Sequence, residues 1–205
     1  MLENVDYTQI HFDPEHHTVA LKPGMEIDLG SIAKGYTGDQ LMQLFRDSGV
    51  SSALLNLGGN VQTLGSKPDG SPWKIAVKDP LGEGNLGVLN IEDRAVITSG
   101  GYERYFEEDG RTYWHIIDPA TGYPAQSGLV SVTVVGKEGT LCDGLSTSLF
   151  VMGEASAAAF WRSSDDFEAV FVRDDGSVLI TEGLESSFTL VDGYAGKPVT
   201  VIRRD

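Results

Sequence analysis

The chain has 205 residues, of which 40% are hydrophobic and 22% are charged, a composition typical of a folded domain with a substantial core. Its 30 acidic and 15 basic side chains give a formal net charge of −15 at pH 7, which argues against a nucleic-acid partner because phosphate backbones are bound by basic surfaces. The one cysteine, Cys142, excludes a disulfide within the chain and a metal site built from cysteines.

The residues before Asp28 are predicted to form short strands. The segment MLENVDYTQIHF lacks the basic and apolar regions of a signal peptide, and no run in the chain approaches the ~20 apolar residues of a membrane span. Strands are predicted at 7–12 and 18–21, on either side of an Asp-Pro turn. Because the alternation continues from 18 to 27, we expect a strand to lead directly into the next motif.

The motif DLGSIAKGY, residues 28–36, is predicted to turn from that strand into the first helix. Apolar residues recur after it at helical spacing, so we predict a helix over 31–48 that ends at Gly49. The first N–H groups of a helix lack partners and the helix dipole favours anions, so this turn is suited to hold a phosphate beside Lys34. Glycine-rich turns also occur for geometric reasons alone, and the motif is neither a P-loop nor a GxGxxG fingerprint. The recurring apolar residues are Ile32, Tyr36, Leu41, Leu44 and Phe45.

The rest of the chain is predicted to combine short strands with two further helices, over 140–152 and 155–163. We expect hairpins from strands 86–91 and 95–98, from the strands that flank EEDGR, and from strands 168–172 and 177–180. The other predicted strands are 52–56, 61–64, 74–77, 113–117, 129–135, 188–191 and 199–202. Many strands and about three helices, in no strict βαβ alternation, predict an α+β fold of mixed and antiparallel sheets, in one domain over 1–205.

The second predicted helix carries a candidate metal site in the sequence CDGLSTSLFVMG. Asp143 and Thr147 are four residues apart, so a carboxylate and a hydroxyl lie one turn apart on one face. Such a pair can bind a hard cation together with phosphate oxygens and water, which is how proteins commonly hold Mg²⁺. The alternative is structural: Asp143 caps the helix and Thr147 bonds back to the backbone. The predicted core stripe of this helix is Leu141, Leu145, Leu149 and Met152.

A candidate general base lies in the segment HIIDPATGYP. His115 is predicted at the end of a strand beside a type I turn, and histidine is the commonest general base near neutral pH, although a lone strand histidine is often structural. The glycine-rich loop TSGGYERY is suited to present N–H groups to an anion. Lys78 and Arg104 are further candidate phosphate contacts.

Seven motifs follow one another in a fixed order: DLGSIAKGY, NLGGN, PWKIAVKDP, ITSGGYERYF, YWHIIDPATGYP, SVTVV and CDGLSTSLFVMG. As an ordered set, over about residues 18 to 153, they resemble the ApbE-type FAD:protein FMN transferases. The resemblance implies an ApbE-like flavin transferase fold and Mg²⁺-dependent transfer of FMN from FAD to a Thr or Ser hydroxyl of an acceptor flavoprotein, with release of AMP. Two alternatives stay open: an Mg²⁺-dependent FAD pyrophosphatase that forms FMN and AMP, and a flavin-binding protein without turnover.

The resemblance also implies a role for individual residues. The metal ligands would be the main-chain carbonyl of Ser31 and the side chains of Asp143 and Thr147. His115 would help to deprotonate the acceptor hydroxyl. The implied FAD contacts are Asp28, Lys34 and, in the flavin pocket, Ile117.

The setting is likewise implied by the resemblance. Family members are typically extracytoplasmic and often lipid-anchored, and their acceptors include membrane redox subunits. We therefore expect a membrane-anchored lipoprotein in the full-length form. Members usually have a longer segment before the DLG motif than the 27 residues that precede Asp28 here. The resemblance thus predicts an N-terminally short domain, either a truncated form of a longer member or a naturally short member with an incomplete FAD site.

Overall fold

The computed structural model describes residues 2–204, apart from the side chain of Arg111, and these residues contain fourteen strands, three α-helices and four one-turn 3₁₀ helices. The helices are α1 Ala33–Asp47, α2 Gly139–Met152 and α3 Glu154–Arg162. The strands are β1 His11–Asp13, β2 Thr18–Ala20, β3 Ala53–Leu57, β4 Asn60–Leu64, β5 Trp73–Lys78, β6 Asn85–Ile91, β7 Ala95–Gly100, β8 Tyr105–Glu108, β9 Arg111–Trp114, β10 Leu129–Gly136, β11 Phe167–Arg173, β12 Val178–Thr181, β13 Phe188–Leu190 and β14 Val199–Ile202. None of these helices is both long enough and apolar enough to span a bilayer.

A seven-stranded sheet organises the fold, in the spatial order β14-β12-β11-β10-β7-β4-β3. Its neighbouring strands are antiparallel except for the parallel pair β12 and β14, so the sheet is mixed. A second sheet, β13-β6-β5, is antiparallel, and β1-β2 and β8-β9 form separate hairpins. The predicted α+β class with mixed and antiparallel sheets is confirmed.

The two faces of the large sheet bury different cores. Because side chains alternate along a strand, Ile97 of β7 and Val134 of β10 face α2 and α3, where they share a core with Leu149. Their neighbours Val96 and Val135 face the opposite way, into a core shared with the three-stranded sheet. The domain therefore has three layers, with the helices on one side of the central sheet and the small sheet on the other.

The predicted hairpin between strands 86–91 and 95–98 is wrong. β6 pairs with β5 and β13, whereas β7 pairs with β4 and β10, so the three residues between them cross from one sheet to the other. Polar groups of the crossing bond to β4 and the residue after it: Arg94 O accepts from Thr63 N (2.9 Å), and Asp93 Oδ1 accepts from Gly65 N (2.8 Å). The hairpins β8-β9 and β11-β12 are confirmed.

The strand expected to lead into the DLGSIAKGY motif is also wrong. Regular pairing ends at Ala20, and residues 21–29 contain no strand. The first helix begins at Ala33, two residues later than predicted, after a turn in which Leu29 O accepts from Ile32 N and Ala33 N. The motif therefore enters α1 from an irregular loop.

The buried faces of α1 and α2 differ from those that apolar spacing predicted. In α1 the fully buried residues are Gly35, Gly38 and Met42, while Tyr36 and Leu44 are exposed. In α2 Leu141 and Met152 are exposed, and only Leu149 of the predicted stripe is fully buried. The buried residues of α2 are Gly139, Cys142, Asp143, Ser146, Leu149 and Phe150.

Candidate functional site

The start of α1 packs against α2 through a buried carboxylate. Gly35, the third residue of α1, donates its N–H to Oδ2 of Asp143 at 2.8 Å. Asp143 is 6% exposed, and Ile32, at the N-cap of α1, makes no side-chain capping bond. Asp143 therefore satisfies one of the N–H groups that a helix start leaves open.

α1 returns the same kind of bond to α2. The carboxylate of Asp39 accepts from the N–H groups of Gly139 (2.7 Å) and Thr140 (2.8 Å), and from the Thr140 hydroxyl (2.6 Å). Asp143 is the fifth residue of α2, so the alternative that it caps its own helix is wrong. Each helix supplies the carboxylate that caps the other.

Glycines let the two helices approach this closely. A Cβ on Gly35 would overlap the carbonyl of Gly139 and the side chain of Asp143, and a Cβ on Gly38 would overlap the side chain of Gln62. Gln62, on β4, reaches between the helices and donates from Nε2 to Gly35 O at 3.1 Å. The close packing of backbone on backbone fixes the position of the loop before α1 relative to α2.

The environment of Asp143 favours binding of a cation. Burial raises the pKa of this carboxyl, and the Gly35 N–H and the charge of Lys34 act in the opposite direction. Within residues 2–204, Gly35 is the one donor to the carboxylate, which leaves Oδ1 available. A cation at Oδ1 would offset the cost of burying the charge.

Thr147 lies one turn further along α2 and belongs to a hydroxyl cluster. Ser99 Oγ of β7 is 2.8 Å from Ser146 Oγ and 3.0 Å from Thr147 Oγ1. The alternative in which Thr147 bonds back to the backbone is not realised in the described part of the chain; Ser146 makes such a bond instead, to Asp143 O at 2.9 Å. A half-buried hydroxyl and a buried carboxylate thus lie on the same side of α2.

The other residues implied at the metal and FAD lie on the loop before α1 and in its first turn. Asp28, Ser31 and Lys34 are exposed, and the loop lies over α2, where Ile32 packs against Gly144. Oδ1 of Asp28 accepts from Gly30 N at 2.6 Å. The N–H groups of Gly30 and Gly35 already donate to side chains, so they are not free to bind a phosphate as the sequence predicted.

His115 and Ile117 follow β9 in the chain. The neighbouring Trp114 packs edge-on against Phe150 of α2, with ring centroids 6.4 Å apart. His115 is exposed, and its Nδ1 is 3.3 Å from Arg104 O. Ile117 is 46% exposed and pairs with Pro124 in an isolated bridge. No hydrogen bond among the described residues joins His115 or Ile117 to Asp143 or Thr147.

An open cleft of about 880 Å³ lies beside this segment, between β9 and the loop that follows it. The loop begins with the predicted turn, in which Asp118 O accepts from Thr121 N (3.2 Å) and Gly122 N (2.8 Å). The lining residues are Thr112, Tyr113, Trp114, Asp118, Thr121, Tyr123, Pro124 and Gln126. Aromatic walls with a few polar groups are suited to an organic ligand.

The donor set at the helix pair fits Mg²⁺. The available groups are the Asp143 carboxylate, the Thr147 hydroxyl and the backbone of the Ser31 loop, all of them oxygen ligands. Within residues 2–204 no cluster of three or more His, Cys, Asp or Glu side chains forms a complete metal cage. One carboxylate and one hydroxyl suit a cation that keeps waters and shares its coordination with phosphate oxygens.

Sequence reasoning missed three residues that build this site: Asp39, Gln62 and Ser99. The partners of Asp39 lie 100 and 101 positions away, and those of Ser99 lie 47 and 48 positions away. No local pattern signals such pairs.

Lys78, a predicted phosphate contact, lies with Nζ 4.9 Å from the centre of the Tyr102 ring.

Comparison with known proteins identifies relatives over most of the chain. The sequence profile of the ApbE family matches residues 1–171. The chain is 41% identical over 176 residues to the FAD:protein FMN transferase of Klebsiella pneumoniae (strain 342), covering 84% of this chain and 54% of the relative. It is 36% identical over 207 residues to the enzyme of the same name from Treponema pallidum (strain Nichols), covering 93% of this chain and 57% of that relative.

A solved structure agrees with these matches. The crystal structure of the ApbE protein from Thermotoga maritima superimposes with a TM-score of 0.83 at 37% sequence identity, covering 89% of this chain and 60% of that one. The chain thus spans about half the length of the curated relatives it matches.

Proposed function

The chain belongs to the ApbE family, and we propose that it carries the part of a flavin transferase that moves FMN from FAD to a protein. The observation that supports this most is the contact between α1 and α2. It brings the first turn of α1, which carries Lys34, and the loop before it, which carries Ser31, to α2. There a buried carboxylate and a half-buried hydroxyl have the chemistry of a magnesium–pyrophosphate site.

The residues have the properties that the reaction needs. Cleavage of a phosphoanhydride by an alcohol requires positioning of the phosphates and electrostatic stabilisation of the charge that develops on them. Asp143 and Thr147, with the carbonyl of Ser31, would hold Mg²⁺. When bound, this cation supplies positive charge that stabilises the negative charge on the phosphates. Lys34, in the first turn of α1, would contact FAD beside Asp28.

His115 would act on the acceptor. A proton on Nδ1, donated to Arg104 O, leaves Nε2 free to accept the proton of a Thr or Ser hydroxyl. The hydroxyl oxygen then bonds to the phosphorus of the FMN half, the anhydride P–O bond breaks, and AMP leaves. Because His115 is exposed, an acceptor segment of another protein can reach it.

The flavin would lie near Ile117, whose exposed side chain follows the cleft-lining strand β9. The acceptor would be a flavoprotein with a flavinylated Thr or Ser, and membrane redox subunits are the class that the family resemblance favours. The domain boundaries are proposed as residues 1–205, one domain.

The test is incubation of the protein with FAD and Mg²⁺, with and without a domain that carries a candidate acceptor Thr. AMP is measured by chromatography, and the acceptor mass by mass spectrometry. We expect AMP release together with a gain of one FMN on the acceptor. AMP without acceptor labelling would favour a pyrophosphatase, and FAD binding without AMP would favour a binding protein. Either result would overturn the transferase proposal.

A further inference from the structure

Asn60 is a buried polar side chain with no structural partner. It is the first residue of β4 and is 2% exposed. Neither its Oδ1 nor its Nδ2 makes a hydrogen bond within residues 2–204. An unpaired buried amide costs free energy, and buried polar groups are nearly always bonded in native proteins. The two atoms therefore call for a partner outside the described chain.

Strand alternation places the Asn60 side chain under the helices. Gln62, two residues further along β4, faces the helix layer because its amide donates to Gly35 O. Residues 60 and 62 lie on the same face of the strand. Asn60 therefore points toward the layer that contains α1 and α2.

The register of the sheet shows which part of α2 lies above Asn60. β4 pairs with β7 so that Gln62 lies opposite Ala95, which places Asn60 opposite Ile97. The part of α2 next to Gln62 is Gly139, because a Cβ on Gly139 would overlap the Gln62 amide.

Ser99 lies two residues beyond Ile97 on β7, and there α2 presents Thr147, whose hydroxyl is 3.0 Å from Ser99 Oγ. Asn60 therefore lies between the part of the sheet that contacts Gly139 and the part that contacts Thr147. Asp143 lies midway between Gly139 and Thr147 on α2. The unpaired amide is thus beneath the candidate metal site.

We propose that Asn60 is a further binding residue of that site. Its ligand is a phosphate group together with the hydrated divalent cation that the phosphate carries. Nδ2 donates to a phosphate oxygen, and Oδ1 accepts from a cation-bound water. A carboxamide offers both functions, whereas Asp143 offers only an acceptor when it is ionised. This inference rests on the proposed function, because it takes the pyrophosphate of FAD as the phosphate source.

Gln62 provides a matched control for substitutions at Asn60. It is buried like Asn60, on the same face of the same strand, but its amide is bonded. If Asn60 serves a ligand, replacing it with an apolar residue removes a burial cost from the free protein. Replacing Gln62 removes a hydrogen bond that the free protein uses, so this substitution should lower stability whereas replacing Asn60 should not.

The experiment compares wild type, Asn60→Leu, Asn60→Ala and Gln62→Leu. Thermal unfolding without ligand is measured by calorimetry, and binding of Mn²⁺, as a stand-in for Mg²⁺, by electron paramagnetic resonance with and without FAD. We expect Asn60→Leu to keep or raise the melting temperature and to weaken Mn²⁺ binding in the presence of FAD by about tenfold or more, because hydrogen bonds to a charged ligand are lost. Gln62→Leu should lower the melting temperature.

Asn60→Ala tests the same binding loss if leucine does not fit. Variants at Asn60 that melt lower than wild type and bind Mn²⁺ and FAD equally well would overturn the inference and make Asn60 a structural residue. A wild-type protein that binds neither Mn²⁺ nor FAD would overturn the proposed function, and the inference with it. Wild-type binding with unchanged binding at Asn60→Leu would overturn the inference alone.

Discussion

The N–H of Gly35 in α1 donates to the carboxylate of Asp143 in α2, at 2.8 Å, while Asp39 of α1 accepts from the start of α2. One carboxylate oxygen of Asp143 is thus used by the fold and the other is available to a ligand. The residue proposed to hold the cation also sets the distance between the helices. Stability and binding at Asp143 can therefore be separated by changing one property of the side chain at a time.

Asp143→Asn should separate the two roles. The amide oxygen of asparagine can still accept from Gly35 N, and the neutral side chain avoids the burial cost that raises the pKa of Asp143. We expect the free energy of unfolding to stay within about 1 kcal/mol of wild type and Mn²⁺ binding to be lost. Urea unfolding and Mn²⁺ titration check this. Full binding by the asparagine variant would remove Asp143 from the metal site.

Asp39→Ala is the matched control for that experiment. It deletes three hydrogen bonds to the start of α2 without touching the proposed ligands. We expect a loss of about 1–2 kcal/mol, as for removal of other helix caps. Asp143→Ala should also lose stability, since it leaves the Gly35 N–H without an acceptor.

Gly35→Ala should destabilise the protein although alanine is the better helix former. A Cβ there would overlap Gly139 and Asp143, so the helices must separate. We expect a cost of about 1–3 kcal/mol, typical of overpacking, and weaker Mn²⁺ binding. Gly144→Ala is the control: its Cβ would meet Ile32 at 3.4 Å, an ordinary contact, so stability should be unchanged or higher. Equal effects of the two changes would show that the close approach is unimportant; both are measured by urea unfolding.

The glycine contact also explains what apolar spacing could and could not predict. Spacing located α1 to within two residues at its start, but the buried face is Gly35, Gly38 and Met42. Glycine carries no hydrophobic signal, so the exposed Tyr36 and Leu44 suggested the wrong face. Close backbone contact is visible only once the partner helix is in place.

Sequence separation accounts for the other differences. The hairpins β8-β9 and β11-β12 were predictable because their turns and alternating residues are local. The β6-β7 hairpin was not realised, because β6 pairs with β5 and β13 whereas β7 pairs with β4 and β10, so the two strands lie in different sheets. At the site, the spacing of Asp143 and Thr147 indicated a shared face, while the cap from Asp39 spans 100 positions.

His115→Gln should lower transfer without changing the fold. The side chain is exposed and its hydrogen bond to Arg104 O is long, at 3.3 Å, so stability should change by less than about 0.5 kcal/mol. Loss of a general base typically costs about 10²–10⁴ in rate. Transfer of FMN to an acceptor domain is the measurement, with Mn²⁺ binding as the control that should stay at the wild-type level. An unchanged transfer rate would exclude the proposed role of His115.

The contact between Tyr194 and Asp79 should make stability depend on alkaline pH. Tyr194 donates its hydroxyl to the buried Asp79, and this bond, with burial, raises the pKa of Tyr194 above its ordinary value of 10.0. A group whose pKa is raised by folding stabilises the folded state below its unfolded pKa and loses that contribution as the pH rises through the folded one. Ionised Tyr194 has no proton to donate and repels Asp79.

We therefore expect Tyr194→Phe to be less stable than wild type between about pH 7 and 9, below the pKa of free tyrosine. The difference should shrink as the pH rises above 10.0, the ordinary pKa. Urea unfolding of both proteins across this range gives the difference at each pH, so that titration of the other tyrosines and of the lysines cancels. Tyr7→Phe, at a side chain that is 84% exposed, should match wild type throughout. A gap between Tyr194→Phe and wild type that stays constant with pH would mean that the Tyr194 hydroxyl stabilises the fold by packing alone and that its proton is not shared with Asp79.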